Sequence, residues 1–254
     1  METRRDERIQ QLVQALKRSD KIHLKEAATL LNVSEMTVRR DLNTADIPVT
    51  LLGGYIVMAP RVNPASHYHI SVQKNRLVKE KQHAGRLAAG LVRPHQTLFF
   101  DCGTTTPWII DAIGDDVPFT GICYSLNTFL SLQEKPLCRV ILCGGEFYPA
   151  NAIFKPLTFK ETLDHLRPDI AFFSAAGVDI QRDVTCFNVE ELPIKHWAIK
   201  AALRRVLVVD HSKFGVVRAA CMGPLTTFDT LITDRAPDNA FLSFAQDHNI
   251  RIHW

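Results

Sequence analysis

The sequence predicts a two-domain α/β protein, with an N-terminal winged helix-turn-helix joined to a C-terminal α/β domain. Three observations support this prediction. Three short helical patterns and a Gly-Gly hairpin signal fill residues 1–58. Residues 59–72 contain two prolines and little apolar content, which is typical of a linker. Over residues 73–254, short apolar runs alternate with amphipathic helices, the pattern of a parallel sheet covered on both faces.

The first domain is predicted to contain three helices followed by a hairpin. In the first helix, Ile9, Leu12 and Leu16 recur at helical spacing. The hairpin signal is Gly53-Gly54, which separates two apolar runs. The predicted elements are helices at 3–18, 25–31 and 34–42 and strands at 48–52 and 55–58.

The helix at 34–42 has the properties of a helix that reads DNA. Ser34 is a good N-cap because its hydroxyl accepts a free amide of the first turn. Val33, Val38 and Leu42 fall on one side and are expected to pack on the preceding helix. The opposite side carries guanidinium, amide and hydroxyl groups, which contact base edges and phosphates. An ordinary solvated helix face is the alternative. The predicted DNA-contacting residues are Ser34, Met36, Thr37, Arg39, Arg40 and Asn43.

The composition is that of a globular protein with a sizeable core, at 46% hydrophobic and 22% charged over 254 residues. A net charge of only +3 means that DNA binding must depend on local arrangement rather than bulk charge. The 6 cysteines form no Cys-x-x-Cys pair and lie mostly in apolar runs, which indicates buried thiols in a reducing compartment. With no signal peptide and no apolar run of transmembrane length, a cytoplasmic location without a membrane partner is expected.

Residues 73–91 predict a long helix that connects the linker to the second domain. Its position makes it the expected element through which a ligand of the second domain would act on the first. The basic side of this helix is interpreted as solvated. Its members are Lys74, Arg76, Lys79, Lys81 and Arg86.

The rest of the second domain alternates buried strands with helices. The predicted strands are 97–100, 119–124, 139–143, 169–174, 206–210 and 230–233. The predicted helices are 107–113, 127–132, 157–166, 190–203 and 239–248.

Ligands of open parallel sheets bind outside the carboxyl ends of the strands, so the residues after each strand are candidates. Gly103 permits close backbone approach, and Lys213 is a natural phosphate partner. Glu191 and Lys195 share a helix face at i,i+4, with a surface ion pair as the alternative interpretation. Together these loops predict a pocket for a small phosphorylated, hydroxyl-rich molecule. The candidate ligand residues are Asp101, Gly103, Thr104, Thr105, Asn127, Gly144, Gly145, Glu191, Lys195, Asp210 and Lys213.

The sequence predicts no metal site, no Walker-type phosphate loop and no catalytic triad. His67 and His69 have no third ligand at a recognisable spacing. No Gly-x-x-x-x-Gly-Lys motif occurs. Asp210, His211 and Ser212 are adjacent, so they cannot line up as orienter, base and nucleophile. We therefore expect no cofactor.

These motifs resemble, in order and spacing, the DeoR family of bacterial transcription regulators over almost the whole chain. The resemblance is carried by Val33-Ser-Glu-Met-Thr-Val-Arg-Arg-Asp-Leu42, Gly53-Gly54, Asp101-Cys-Gly-Thr-Thr105, Gly144-Gly145, Glu191-x-x-x-Lys195 and Asp210-His-Ser-Lys-Phe214. The family usually places Arg and His just before the wing glycines, where Leu51 and Leu52 stand here.

The resemblance implies an isomerase/CoA-transferase-like second domain, similar to ribose-5-phosphate isomerase and glucosamine-6-phosphate deaminase. It also implies a homo-oligomeric repressor of sugar or deoxynucleoside catabolic genes that binds double-stranded operator DNA. The expected effector is a sugar phosphate, deoxyribose 5-phosphate in particular. A sugar-phosphate isomerase with an appended DNA-binding domain is the alternative, with Asp210, Glu191 and Lys195 moving protons. We favour the regulator because the first domain has no use in catalysis.

Overall fold

The computed structural model describes residues 4–16, 21–42, 47–58, 76–149, 151–156 and 163–254. The chain divides into two compact units, Met1–Ser66 and His67–Trp254, and each is described by itself. The predicted linker, 59–72, lies outside the described residues, so the predicted limits of 1–58 and 73–254 stay predictions. None of the helices in the described ranges is long and apolar enough to cross a membrane.

The N-terminal unit packs three helices against a three-stranded antiparallel sheet. Each helix contributes apolar side chains to one core, among them Leu12, Ala27 and Val38, and Ile56 contributes from the sheet. The predicted winged helix-turn-helix is confirmed. Its elements are α1 (Arg4–Leu16), β1 (Ile22–His23), α2 (Leu24–Leu30), α3 (Glu35–Leu42), β2 (Val49–Leu52) and β3 (Tyr55–Met58).

The wing turns at Gly53 and Gly54, as predicted. Their φ angles are 56° and 85°, and a two-residue hairpin turn of this kind requires positive φ at both positions. The sequence did not predict β1, which lies beside β3 and pairs Ile22 with Ile56. Two residues are too few to show a strand's alternation, so only the pairing with β3 defines this strand.

The C-terminal unit is built on a seven-stranded parallel sheet. Its elements, in chain order, are α4 (Val78–Ala89), β4 (Thr97–Phe100), α5 (Thr106–Ala112), β5 (Phe119–Cys123), α6 (Leu126–Gln133), β6 (Cys138–Leu142), β7 (Glu146–Tyr148), β8 (Ile153–Lys155), β9 (Ile170–Phe173), β10 (Gly177–Asp179), β11 (Asp183–Cys186), α7 (Leu192–Ala201), β12 (Arg204–Val208), β13 (Ala220–Gly223), β14 (Thr230–Ile232), α8 (Asn239–Asp247) and β15 (Arg251–His253). The parallel sheet has the order β15-β14-β12-β9-β4-β5-β6.

Both faces of this sheet are buried, as the apolar runs predicted. Neighbouring residues of a strand point to opposite faces, so Phe99 and Phe173 pack in one core and Phe100 and Phe172 in the other. All six predicted strands are confirmed to within two residues at either end. The seventh, β15, was not predicted because it is a three-residue edge strand with polar residues on both sides of Ile252.

Two other features of this unit differ from the prediction, and one predicted helix stays untested. The helix α4 begins at Val78, whereas the predicted helix began at residue 73. It cannot extend through Leu77, because the φ angle of this residue is 51°, in the left-handed region. Most of the predicted helix 157–166 lies outside the described residues. Two small antiparallel sheets, β7-β8 and β10-β11-β13, were not predicted. Their three- and four-residue strands depend on pairing rather than on a periodic pattern.

All six cysteines are free. Cys102, Cys123, Cys143 and Cys186 are buried, as predicted from the apolar runs, whereas Cys221 is exposed. Cys221 lies on β13 between the buried Ala220 and Met222, and strand alternation turns it to the other face.

Candidate functional site

The exposed side of α3 carries the residues that were predicted to contact DNA. The Ser34 hydroxyl accepts the amide of Thr37 at 3.2 Å, as an N-cap should, and the two hydroxyls lie 3.0 Å apart. Met36 is 74% exposed, and Arg39 and Arg40 are also exposed. Asn43 lies outside the described residues. The side chains of Met36, Arg39 and Arg40 are therefore available to a partner. The hydroxyls of Ser34 and Thr37 lie instead at the N-terminus of the helix, where they contact each other.

A partly buried ion pair that was not predicted joins α3 to α1. Asp41 lies on the packed side of the helix, one turn from the fully buried Val38, and is itself 4% exposed. Its Oδ2 accepts a hydrogen bond from Nε of Arg8 in α1, at 2.6 Å. The position of Asp41 on the apolar side was visible in the sequence, but its partner was not.

In the C-terminal unit, a cleft opens at the carboxyl edge of the parallel sheet. The loops that follow β4, β9 and β12 meet there with residues that precede and begin α7. The lining residues are Cys102, Gly103, Thr104, Thr105, Ser174, Ala175, Ala176, Cys186, Phe187, Glu191, Lys195 and Lys213. Six of the predicted ligand residues therefore line one cleft.

Asp101 organises the inner end of this cleft and is completely buried. Its Oδ1 accepts the amide of Cys102 at 2.8 Å and the hydroxyl of Tyr124 at 2.6 Å. Its Oδ2 accepts the amide of Ser174 at 2.9 Å and the ammonium of Lys195. The carboxylate thereby ties the ends of β4, β5 and β9 to α7.

Lys195 is shared between Asp101 and Glu191, whose Oε2 lies 3.4 Å from the ammonium. The alternative interpretation of Glu191 and Lys195 as a surface ion pair is wrong, because Lys195 is only 1% exposed and Glu191 only 5% exposed. Oε1 of Glu191 also accepts the side-chain amides of Asn151 at 2.9 Å and Asn188 at 3.0 Å.

The two charges stabilise each other. Burial by itself raises the pKa of Glu191, but the Lys195 ammonium and the two amides outweigh it and lower this pKa below its ordinary value. Burial likewise opposes the charge of Lys195, yet Asp101 and Glu191 raise its pKa well above the ordinary value. Both groups are therefore held in their ionised forms.

Lys81 was predicted to lie on a solvated side of its helix, but it is buried behind the cleft wall at Thr104. It lies on α4, is 2% exposed, and its Nζ donates to Oγ1 of Thr104 at 2.8 Å. Burial lowers the pKa of Lys81 to about 8, although the carboxylate of Asp210 acts in the opposite direction. The side of α4 that carries Lys81 therefore faces the site and not the solvent.

Asp210 lies beneath the cleft and Lys213 lines it. Oδ1 of Asp210 accepts the amide of Ser212 at 3.0 Å and also its hydroxyl. Oδ2 lies 3.9 Å from Nζ of Lys213. The ring of His211 contacts Asp234 at 2.8 Å, so Asp210, His211 and Ser212 are not arranged as a triad.

Five predicted residues do not line the cleft: Asp101 and Asp210 are buried behind it, and three others lie elsewhere. Asn127 lies in the first turn of α6, and Gly144 and Gly145 lie in an exposed turn before β7. The first turn of α6 supports the site from behind instead, because the hydroxyl of Thr128 donates to the backbone oxygen of Asp101 at 3.2 Å.

The residues that the sequence analysis missed fall into two groups. Tyr124 and Ser174 are the last residues of two predicted strands and directly follow the observed strands, so the rule that selected Asp101 applies to them once the strand ends are known. Asn151 and Asn188 lie in segments without a predicted element, and no sequence signal pointed to them. In the described part of the chain, no group of three or more His, Cys, Asp or Glu side chains could hold a metal ion.

Two family models match the chain. Residues 8–60 match the DeoR-like helix-turn-helix domain, and residues 76–235 match the DeoR C terminal sensor domain. The chain belongs to the DeoR family. As a DeoR-family member it is a DNA-binding transcriptional regulator and not an enzyme, which excludes the isomerase alternative. The cleft lies in the sensor domain of this DeoR-family regulator.

Two repressors match along nearly the whole chain. The deoxyribose operon repressor of Escherichia coli (strain K12) is 63% identical over 252 residues, which are 99% of this chain and 99% of the relative. The glycerol-3-phosphate regulon repressor of the same organism is 27% identical over 244 residues, 95% of each. Among solved structures, ribose 5-phosphate isomerase A from Methanocaldococcus jannaschii is 18% identical and covers 53% of each chain with a TM-score of 0.39.

Proposed function

We propose that this regulator represses genes of deoxyribose or deoxynucleoside catabolism and releases its operator when deoxyribose 5-phosphate binds the sensor domain. The 63% identity to a deoxyribose operon repressor supports the choice of genes. The chemistry of the cleft supports the class of effector.

The observation that carries the proposal is the grouping of Lys81, Lys195 and Lys213 with buried carboxylates at the carboxyl edge of a parallel sheet. Ammonium groups bind phosphates, and carboxylates accept hydrogen bonds from sugar hydroxyls. The hydroxyls of Thr104 and Ser174 add donors and acceptors on the cleft wall. A small molecule with one phosphate and several hydroxyls matches this set. The proposed effector residues remain Asp101, Gly103, Thr104, Thr105, Asn127, Gly144, Gly145, Glu191, Lys195, Asp210 and Lys213.

On the DNA side, we propose that α3 enters the major groove and that its exposed residues contact bases and phosphates. With a net charge of +3 and an exposed Leu52 at the wing tip, little nonspecific attraction assists this helix. Two subunits related by a two-fold axis would present two copies of α3 about 34–36 Å apart, so we expect a palindromic operator. The proposed contacts are Ser34, Met36, Thr37, Arg39, Arg40 and Asn43.

Release by the effector requires a difference in affinity between two arrangements of the protein. The effector must bind the arrangement that cannot hold DNA more tightly than the one that can. By linkage, the operator must weaken effector binding by the same factor. Shifting the population from about 1:99 to 99:1 needs a difference of roughly 10⁴-fold in effector affinity.

The test is fluorescence anisotropy of a labelled duplex from the DNA upstream of the genes concerned, titrated with the full chain at one fixed salt concentration. Deoxyribose 5-phosphate, ribose 5-phosphate and unphosphorylated deoxyribose are then added in separate series. We expect tight binding without effector and release by deoxyribose 5-phosphate at the lowest concentration of the three. Specific binding that none of the three compounds changes would contradict the proposed effector, and no specific binding would contradict the repressor.

A duplex that contains a single half-site is the control for the oligomer. A two-fold assembly should bind it far more weakly than the complete palindrome, because only one copy of α3 is then engaged. Equal affinity for both duplexes would contradict binding by a symmetric pair.

A further inference from the structure

Asp41 is a charged residue on the packed side of α3. It is 4% exposed, and Val38, one turn earlier on the same side, is fully buried. Met36, Arg39 and Arg40 are exposed on the other side of the helix. Because Asp41 is turned away from the exposed side, any effect it has on DNA binding must act through the position of α3.

The two ends of α3 are held by different kinds of contact. A backbone hydrogen bond from the turn after α2 fixes the first end, since the Val33 amide donates to the Ala28 oxygen at 3.0 Å. The last turn is joined to α1 by side chains instead, because Nε of Arg8 donates to Oδ2 of Asp41 at 2.6 Å. Ile9, the neighbour of Arg8, is buried in the core of the N-terminal unit. The pair therefore connects the end of α3 to a helix that is itself packed in the core.

A charge-assisted hydrogen bond differs from an apolar contact because it is directional. Apolar burial depends on area and has no preferred direction, whereas a guanidinium and a carboxylate bond only over a narrow range of distances and angles. An α-helix with its side chains is about 10–12 Å across, so a rotation of roughly 10° about its axis moves an exposed side chain by about 1 Å. A displacement of this size misaligns the hydrogen bonds through which side chains distinguish base pairs.

Stability alone does not account for this ion pair. The side chain of Arg8 is 20% exposed and that of Asp41 is 6% exposed, so both charges have lost most of their water. The cost of removing this water offsets much of their attraction, and replacing such a pair by apolar residues is often neutral or stabilising. What the pair adds to the apolar contacts around it is a fixed orientation of the helix.

We infer that Arg8 and Asp41 are positioning residues of the DNA-binding surface, and that their hydrogen bond sets the rotation of α3 and thereby the discrimination between the operator and other DNA. This inference rests on the proposed entry of α3 into the major groove. Phosphate contacts hold a protein on any DNA, whereas contacts with base edges carry the sequence information. Loss of the pair should therefore reduce specificity more than it reduces nonspecific binding.

The experiment is fluorescence anisotropy of the full chain with two labelled duplexes, the operator and a scrambled sequence of the same length. The main variant is Arg8→Met with Asp41→Leu, which removes the pair and leaves the net charge at +3. We expect the ratio of operator affinity to scrambled-duplex affinity to fall by about 10- to 100-fold, the range of one well-formed contact with a base. The affinity for the scrambled duplex and its dependence on salt concentration should stay nearly unchanged, because the phosphate contacts are retained.

Two control variants separate position from charge and from general surface effects. Asp41→Asn keeps an oxygen that can accept Nε of Arg8, so it should retain the affinity ratio to within about threefold. Glu7→Gln changes an exposed charge at the neighbouring position of α1 and should retain the ratio to within about twofold. Circular dichroism during heating shows whether each variant folds. If Arg8→Met with Asp41→Leu does not fold, Arg8→Met with Asp41→Asn replaces it, because that variant also leaves no unpaired buried charge.

An unchanged affinity ratio in the folded double variant would overturn the inference. An equal loss in Asp41→Asn would overturn it as well, because the effect would then belong to the charge and not to the position of the helix. If the unaltered chain does not distinguish the operator from the scrambled duplex, then the proposed function itself is wrong.

Discussion

Replacing Asp101 by Asn should strongly destabilise the sensor domain, because this carboxylate is the acceptor for donors from four segments of the chain. The donors are the backbone amides of Cys102 and Ser174, at 2.8 and 2.9 Å, the hydroxyls of Tyr124 and Ser174, at 2.6 and 3.3 Å, and the ammonium of Lys195. Asparagine keeps the size of the side chain but has one acceptor oxygen instead of two.

The magnitude follows from the groups that would lose their acceptor. In one orientation the new NH₂ group faces Lys195 and the Ser174 amide, and in the other it faces Tyr124 and the Cys102 amide. Each buried donor without an acceptor costs about 1–3 kcal/mol. Removing one partner of a buried ion pair costs about 3–5 kcal/mol in total, and we expect a loss within this range.

Urea denaturation followed by tryptophan fluorescence measures this loss in the full chain without ligand. All 3 tryptophans, Trp108, Trp197 and Trp254, lie in the C-terminal unit, so the signal reports on the sensor domain alone. With a urea dependence of about 2 kcal/mol per M, the midpoint should fall by roughly 1.5–2.5 M.

Asp115→Asn is the matched control. Asp115 pairs with Lys135 at 3.0 Å, but its side chain is 75% exposed, so its loss should cost less than about 1 kcal/mol. If Asp101→Asn cost no more than this control, the claim that Asp101 ties the strand ends to α7 would be refuted.

Three further predictions concern the DNA, the fold and pH. Arg40→Ala should weaken operator binding by about 1–3 kcal/mol at fixed salt if Arg40 reads a base, and unchanged anisotropy titrations would remove it from the contacts. Gly145→Ala should destabilise the fold by about 1–3 kcal/mol in the urea assay, since Gly145 has a φ of 149° and a Cβ there would meet the Lys155 oxygen at 2.0 Å. Gly144→Ala, where a Cβ would have nothing within 4 Å, should be close to neutral. The affinity for deoxyribose 5-phosphate, measured by calorimetry, should fall as the pH rises through the pKa of Lys81, about 8, because only the charged ammonium attracts phosphate. The ligand stays dianionic from about pH 7 to 9.5, so a flat affinity profile over this range would contradict the prediction.

Local signals explain why so much of the fold could be predicted. The helices of the first domain follow from apolar spacing, and its hairpin from Gly53-Gly54, features that involve only a few neighbouring residues. The central strands of the parallel sheet are buried on both faces, so the sequence of each one is a continuous apolar run. The strands that were not predicted, such as β1 and β15, are short, and each depends on pairing with a strand that is distant in sequence.

The candidate site was predictable only in part. The rule that ligands bind beyond the carboxyl ends of parallel strands selected Asp101, Thr104 and Lys213 correctly as neighbours of one edge. It also selected Asn127 and Gly144, which do not line the cleft, because the rule cannot tell which of the loops converge.

The sequence by itself determined the winged helix-turn-helix, the parallel sheet and the edge at which the cleft opens, because these depend on residues close together in the chain. Only the tertiary structure decided which charges are buried and with what partners. Lys81 meets Thr104 across 23 residues, Arg8 meets Asp41 across 33, and Lys195 meets Asp101 across 94. A lysine on an amphipathic helix looks the same in the sequence whether it faces water or a carboxylate, since its surroundings are set by elements that fold against it from elsewhere.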